Sequence, residues 1–157
     1  MRAVIYFAIV LLLAALDHAC LSRWWWAPDV SLAFAAWAMV DGDEDGVVWR
    51  ALLAGLAREL CDPVGGGFHL LMLTVLGVAF LPVRRFLFRS RGAAWAIAAA
   101  ALYLAMTLAD ALLTGFGDAG PRHVLAATMA TALAAVACGW LFGGLPRVLR
   151  PIVPGGA

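Results

Sequence analysis

The sequence predicts an all-α integral membrane protein: a six-transmembrane-helix bundle with its N- and C-termini cytoplasmic. Three observations lead there. Of 157 residues, 65% are hydrophobic and 13% charged, against roughly 25% charged in soluble domains. A chain of this size leaves much of its surface outside, and 11 basic plus 10 acidic side chains are too few to coat it against water. Apolar runs recur at lengths that suit membrane helices, and arginines favour alternate loops.

The first apolar run makes helix 1, about residues 3–21. It follows Met1-Arg2 and so resembles a secretory signal, but Leu16-Asp17-His18-Ala19-Cys20 lacks the small residues a signal peptidase needs. An uncleaved helix is expected. Helix 2 covers about 24–40, with Trp24, Trp25 and Trp26 at its start, where indole rings favour the headgroup region. Pro28 suits its first turn. The acidic stretch Asp41-Gly-Asp-Glu-Asp-Gly46 is expected to be an aqueous loop.

Helix 3, about 47–61, carries Arg50, Arg58 and Glu59 and ends on Asp62-Pro63. Gly65 to Gly67 turn the chain into helix 4, about 68–83, which Pro82 is expected to close. Helix 5, about 93–114, is charge-free as far as Asp110, and helix 6, about 124–145, carries no charge at all. Gly139 and Gly143 form a small-xxx-small pair, expected to serve packing inside the bundle.

Arginine placement decides whether helix 3 crosses. With six crossings and the N-terminus inside, Arg2, Arg84, Arg85, Arg89, Arg91, Arg147 and Arg150 lie on the cytoplasmic side. Only Arg23, Arg58 and Arg122 then lie toward the outside. Five crossings would export the basic cluster, so six is expected.

On that topology Asp17, His18, Asp29, Glu59, Asp62, His69, Asp110, Arg122 and His123 all map to the outer side as one polar layer. Wet helix ends account for Asp29, Arg122 and His123 without any function. Helix 3 is different. At 100° per residue Gly55, Arg58, Glu59 and Asp62 share an arc of about 100°. A charge at the centre of a membrane helix costs about 2.5–3.5 kcal/mol on insertion scales, so this arc must meet protein or water. Arg58 and Asp62, spaced i and i+4, are expected to neutralise one another in part. The arc then belongs either to a satisfied interhelical network or to an outward cavity or docking surface.

Catalytic motifs are missing: the chain has no GxSxG, HExxH or Walker loop, and its serines are Ser22, Ser31 and Ser90 alone. Asp45-Gly46 with Arg50, Glu59 and Asp62 faintly resembles the metal-binding motif of CDP-alcohol phosphatidyltransferases. Trp49 replaces its small residue, the second half is wrongly spaced, and Asp45 is expected in a loop. Cys20, Cys61 and Cys138 lie far apart without a CxxC pair, and no metal or cofactor is expected. A net charge of +1 gives no reason to expect nucleic acid.

Two stretches resemble the rod shape-determining MreD family of small bacterial membrane proteins. One is Pro28-Asp29 before Val-Ser-Leu-Ala-Phe-Ala, and the other is Gly55-Leu-Ala-Arg-Glu59-Leu-Cys-Asp-Pro63-Val-Gly65-Gly-Gly67-Phe-His69. Glu59 stands where the family usually has Asp. The resemblance implies a non-enzymatic scaffold of the cell-shape and peptidoglycan-elongation machinery (the elongasome) in the bacterial inner membrane. Its implied partners are a bitopic MreC-like protein and, indirectly, MreB and the elongation synthase and transpeptidase, with membrane lipid around it. An S component of an energy-coupling vitamin transporter is the alternative, and the family resemblance itself implies a bundle similar to transporter S components. The residues expected to line a cavity or meet a partner are Asp29, Gly55, Arg58, Glu59, Asp62, Pro63, Gly65, Gly67, His69 and Asp110.

Overall fold

The computed structural model describes residues 2–21, 24, 26–41, 44–62, 66–84, 91–114 and 120–143. Among them are six α-helices and no strand: α1 (Arg2–Ala19), α2 (Val30–Asp41), α3 (Glu44–Cys61), α4 (Phe68–Arg84), α5 (Arg91–Thr114) and α6 (Pro121–Gly143). Pro63, Gly65, Arg85, Arg89, Arg147 and Arg150, on which several expectations rest, lie outside the described residues.

Three boundaries differ from expectation, each for a local reason. Helix α2 begins at Val30 and not near Trp24, because Asp29 bonds the Leu32 amide with its side chain and stands just outside the first turn. Pro28 therefore precedes the helix. The acidic stretch is largely helical, since α2 runs through Asp41 and α3 starts at Glu44, where carboxylates suit the positive end of a helix. Asp45 thus lies in a helix, which removes one objection to the phosphatidyltransferase motif and leaves the spacing objection standing. Helix α4 continues past Pro82 to Arg84.

Burial explains the arrangement. Every residue of α2 from Ser31 to Val40 is buried, and α1, α3, α5 and α6 all pack against it. Its small side chains Ala33, Ala35 and Ala36 are fully enclosed, which lets neighbouring backbones come close. At 12 residues it is about 18 Å long, short of the ~30 Å hydrocarbon layer. Helices α3 and α4 form one tight hairpin, in which a Cβ on Gly55 would stand 2.7 Å from the Leu70 Cα and one on Gly77 2.5 Å from the Ala51 Cβ. Gly139 of α6 sits against the Trp95 ring of α5, so this glycine serves packing within the bundle. Tyr6, Phe34, Trp37 and Phe142 interlock α1, α2 and α6 with ring centroids 5.1–5.9 Å apart.

The outside of the bundle is apolar. Leu12 on α1, Leu71 on α4, Leu112 on α5 and Trp140 on α6 are all well exposed, among many other large hydrophobics. Two segments, Gly92–Leu113 and Pro121–Phe142, are long and apolar enough to cross a membrane. They are only 22% and 33% buried, whereas the core helix of a soluble protein is mostly buried. These features are compatible with a helical membrane protein.

Candidate functional site: a polar network and cavity at one end of the bundle

The site begins with the N-terminus of α2. A helix leaves its first amides without intrahelical partners, and inside an apolar bundle each must find an acceptor. Here carboxylates supply them. The Val30 and Ser31 amides donate to the two oxygens of Asp17, at 3.1 and 2.8 Å, from the last turns of α1. The Leu32 amide donates to Asp29 Oδ1 at 2.9 Å, and the Ser31 hydroxyl donates to the same oxygen.

Two carboxylates buried together need a cation. Arg58 of α3 supplies it, its Nη1 donating to both oxygens of Asp29 at 2.6 and 2.5 Å and to Ser31 Oγ at 2.8 Å. The pair is largely enclosed, with 20% of the arginine and 15% of the aspartate side chain exposed. The Asp29 amide donates to Thr131 Oγ1 at 3.0 Å, which brings α6 into the network. Arg58 therefore gives these hydrogen bonds to a neighbouring segment, while Asp62, four residues on, adds a weaker electrostatic attraction to the same guanidinium. The reason is geometric: the arc of α3 that bears Arg58 faces α2.

The next residue along α3 turns to a different neighbour. Glu59 accepts from the Gly67 amide at 2.5 Å and the His69 amide at 3.1 Å, closing the N-terminus of α4. Gly66 and Gly67 have φ of +56° and +90°, a backbone region glycine enters without strain. His69 Nε2 lies 3.4 Å from Asp62 Oδ2 across the same turn. Buried nitrogens without a hydrogen-bond partner among the described residues include Arg58 Nε and His69 Nδ1.

Above this network is a cavity of about 330 Å3 to which all six helices contribute. Its lining includes Asp29, Arg58, Asp62 and His69, together with Asp17, His18 and His123. All three histidines of the chain thus meet at one cavity. The remaining candidates play other parts. Gly55 is a packing contact of α4, while Glu59 and Gly67 form the cap. Asp110 is exposed near the end of α5 and is not among the residues that line the cavity. Pro63 and Gly65 lie outside the described residues.

Sequence reasoning missed Ser31, Thr131 and Tyr103. Ser31, two residues beyond Asp29 where cap hydroxyls often turn back, carried a weak signal. Thr131 and Tyr103 carried none, because their part depends on where α5 and α6 dock. Among the described residues no three His, Cys, Asp or Glu side chains are disposed to hold a metal ion. The wall offers hydrogen-bond acceptors and imidazoles suited to binding a polar group. No protein-family model, curated protein or solved structure matches the chain.

Proposed function

We propose that this chain is a multi-pass protein of a bacterial inner membrane, crossing six times with both termini inside. Without enzymatic activity of its own, it acts as a scaffold or regulator of the peptidoglycan-elongation machinery. It works through an MreC-like bitopic partner and, by way of that protein, MreB and the elongation synthase and transpeptidase. One observation carries the reading: both MreD-like stretches fasten helices together. Asp29 of the first and Arg58 of the second form the central ion pair, and Glu59, Gly67 and His69 of the second close α4. A chain whose distinctive residues are spent on holding a rigid shape suits a scaffold. Its exposed leucines suit contact with lipid and with the transmembrane helix of a partner.

The cavity favours a second reading, an S component of a vitamin transporter. Depleting the protein in a rod-shaped host separates the two. The scaffold reading expects rounded cells and copurification of an MreC-like protein in mild detergent. Normal rods with a defect in uptake of a defined vitamin would overturn it in favour of the transporter component.

A further inference from the structure

We propose that the cavity binds a small uncharged molecule rich in hydroxyl groups, a polyol or simple sugar, either free or as the head of a lipid. The proposal rests on the membrane reading and not on the scaffold role. Backbone shape is the first argument. In lipid, chain outside helices is tolerated where protein buries it or a cavity borders it. The chain between α1 and α2 is not α-helical, and Leu21, Trp24, Ala27, Pro28 and Asp29 of this stretch all line the cavity. Interrupted helices of this kind border the ligand sites of many membrane transporters.

The second argument is that the charges of the wall already have partners. Asp29 holds Arg58, the two oxygens of Asp17 hold the Val30 and Ser31 amides, and Asp62 faces His69. An open helix N-terminus would favour an anion, but the first three amides of α2 are taken by Asp17 and Asp29. A charged ligand would have to break one of these pairings to repay its own desolvation, whereas a neutral one leaves them intact.

The third argument is independent of charge. Arg58 Nε and His69 Nδ1, on two residues of the wall, are buried without a hydrogen-bond partner among the described residues. The guanidinium nitrogen can only donate. A carboxylate only accepts, so His69 Nε2 carries the proton toward Asp62, and in the neutral ring Nδ1 is left as an acceptor. One donor and one acceptor therefore lack partners at the same wall, and a hydroxyl group answers both, since it accepts and donates. An ammonium has no lone pair to offer Arg58. Other atoms of both side chains reach the surface, with 20% of Arg58 and 16% of His69 exposed, so a small turn of each presents its nitrogen to a ligand.

Size and composition fit the same class. At about 330 Å3 the space is at the small end for ligand pockets. The Trp24 and Tyr103 rings give it flat apolar faces for the C–H side of a polyol, beside a few polar groups that fix its orientation.

The test titrates the full chain in phosphatidylcholine nanodiscs with glycerol, ribitol, inositol and glucose, and with ethanolamine and inorganic phosphate as charged controls, reading heat of binding at millimolar concentration. At least one of the four neutral probes is expected to bind, and both charged ones to bind at least about tenfold more weakly. Two variants place the ligand. His69→Gln keeps a donor toward Asp62 and removes the Nδ1 acceptor, and is expected to weaken binding of that probe about tenfold with the unligated Tm unchanged. Ala27→Phe fills the cavity without touching a hydrogen bond and is expected to abolish binding. If His69→Gln lowers the unligated Tm, Ala27→Phe decides. Discs of phosphatidylglycerol, whose head ends in a glycerol with two hydroxyls, identify the source: a lipid head predicts that they block the probe, and a free ligand predicts equal binding in both discs. Binding of none of the four neutral probes would show a cavity that holds water alone and would overturn the proposal. It is equally overturned by ethanolamine or phosphate binding as tightly, or by unchanged affinity in a well-folded Ala27→Phe protein. The membrane reading stands apart from these outcomes, because cysteine labelling of the spans tests it without any ligand.

Discussion

Arg58 and Asp29, 29 positions apart in the chain, are joined through a single guanidinium nitrogen that bonds both carboxylate oxygens, and the pair is mostly enclosed by protein. Burying two charges is costly, and removing one partner leaves the other uncompensated. Arg58→Ala is therefore expected to destabilise the protein by about 3–5 kcal/mol, read as thermal unfolding in detergent. Asp29→Asn combined with Arg58→Met should lose much less than the two single changes added together. Additive losses would show that the two residues act independently.

Glu59 offers a sharper case. Glutamine keeps the size of the side chain, and from sequence alone Glu59→Gln looks harmless. In the structure both oxygens accept backbone amides, from Gly67 and His69, and glutamine replaces one acceptor by a donor that would face an N–H. Glu59→Gln is expected to cost about 1–2 kcal/mol, comparable to loss of a helix cap. A variant with wild-type Tm would remove this cap from the account of α4.

The glycines of α3 and α4 separate close approach from helix propensity. Gly55→Ala pushes a methyl group against the Leu70 and His69 backbone, at 2.7 and 2.8 Å, and should destabilise by about 1–3 kcal/mol. Gly92→Ala, where nothing lies within 4 Å, should be neutral or stabilising by up to about 1 kcal/mol. Equal Tm values for the two variants would rule out the tight hairpin.

The six-span proposal is tested by accessibility. In a background lacking Cys20, Cys61 and Cys138, single cysteines at Gly42 and Ser90 should resist an impermeant thiol reagent added to intact cells, while one at Gly117 should react. Labelling at Ser90 would overturn the six-span topology.

Much of this architecture follows from local chemistry. The apolar runs that form α5 and α6 suit helices, because a helix satisfies the backbone of an apolar stretch within the segment itself. Gly120-Pro121 opens α6 in the usual manner, with the Gly120 carbonyl accepting from His123 and Val124. The gathering of Asp17, His18, Asp29, Asp62, His69 and His123 toward one end was partly readable, because helical periodicity places residues on faces and ends without any knowledge of neighbours.

Partner choice was not readable. Sequence spacing offered Arg58 only Asp62, and the fold adds Asp29 as its hydrogen-bonded partner, while Asp17 serves as a cap for a helix that begins 13 residues later. It likewise gave no sign that the helix from Val30 would be the enclosed centre of the bundle, since an Ala-rich run looks the same whether it faces lipid or protein. The sequence by itself determined where most of the helices lie and which of them are apolar enough for lipid, though not the helical ends around Asp41 to Gly46. Only the tertiary structure decided which carboxylate meets the guanidinium, which amides are capped from other helices, and that a cavity remains among them. The physical reason is range: helix formation and lipid compatibility depend on residues within a few turns of one another, whereas pairing and enclosure depend on docking of helices far apart in the chain.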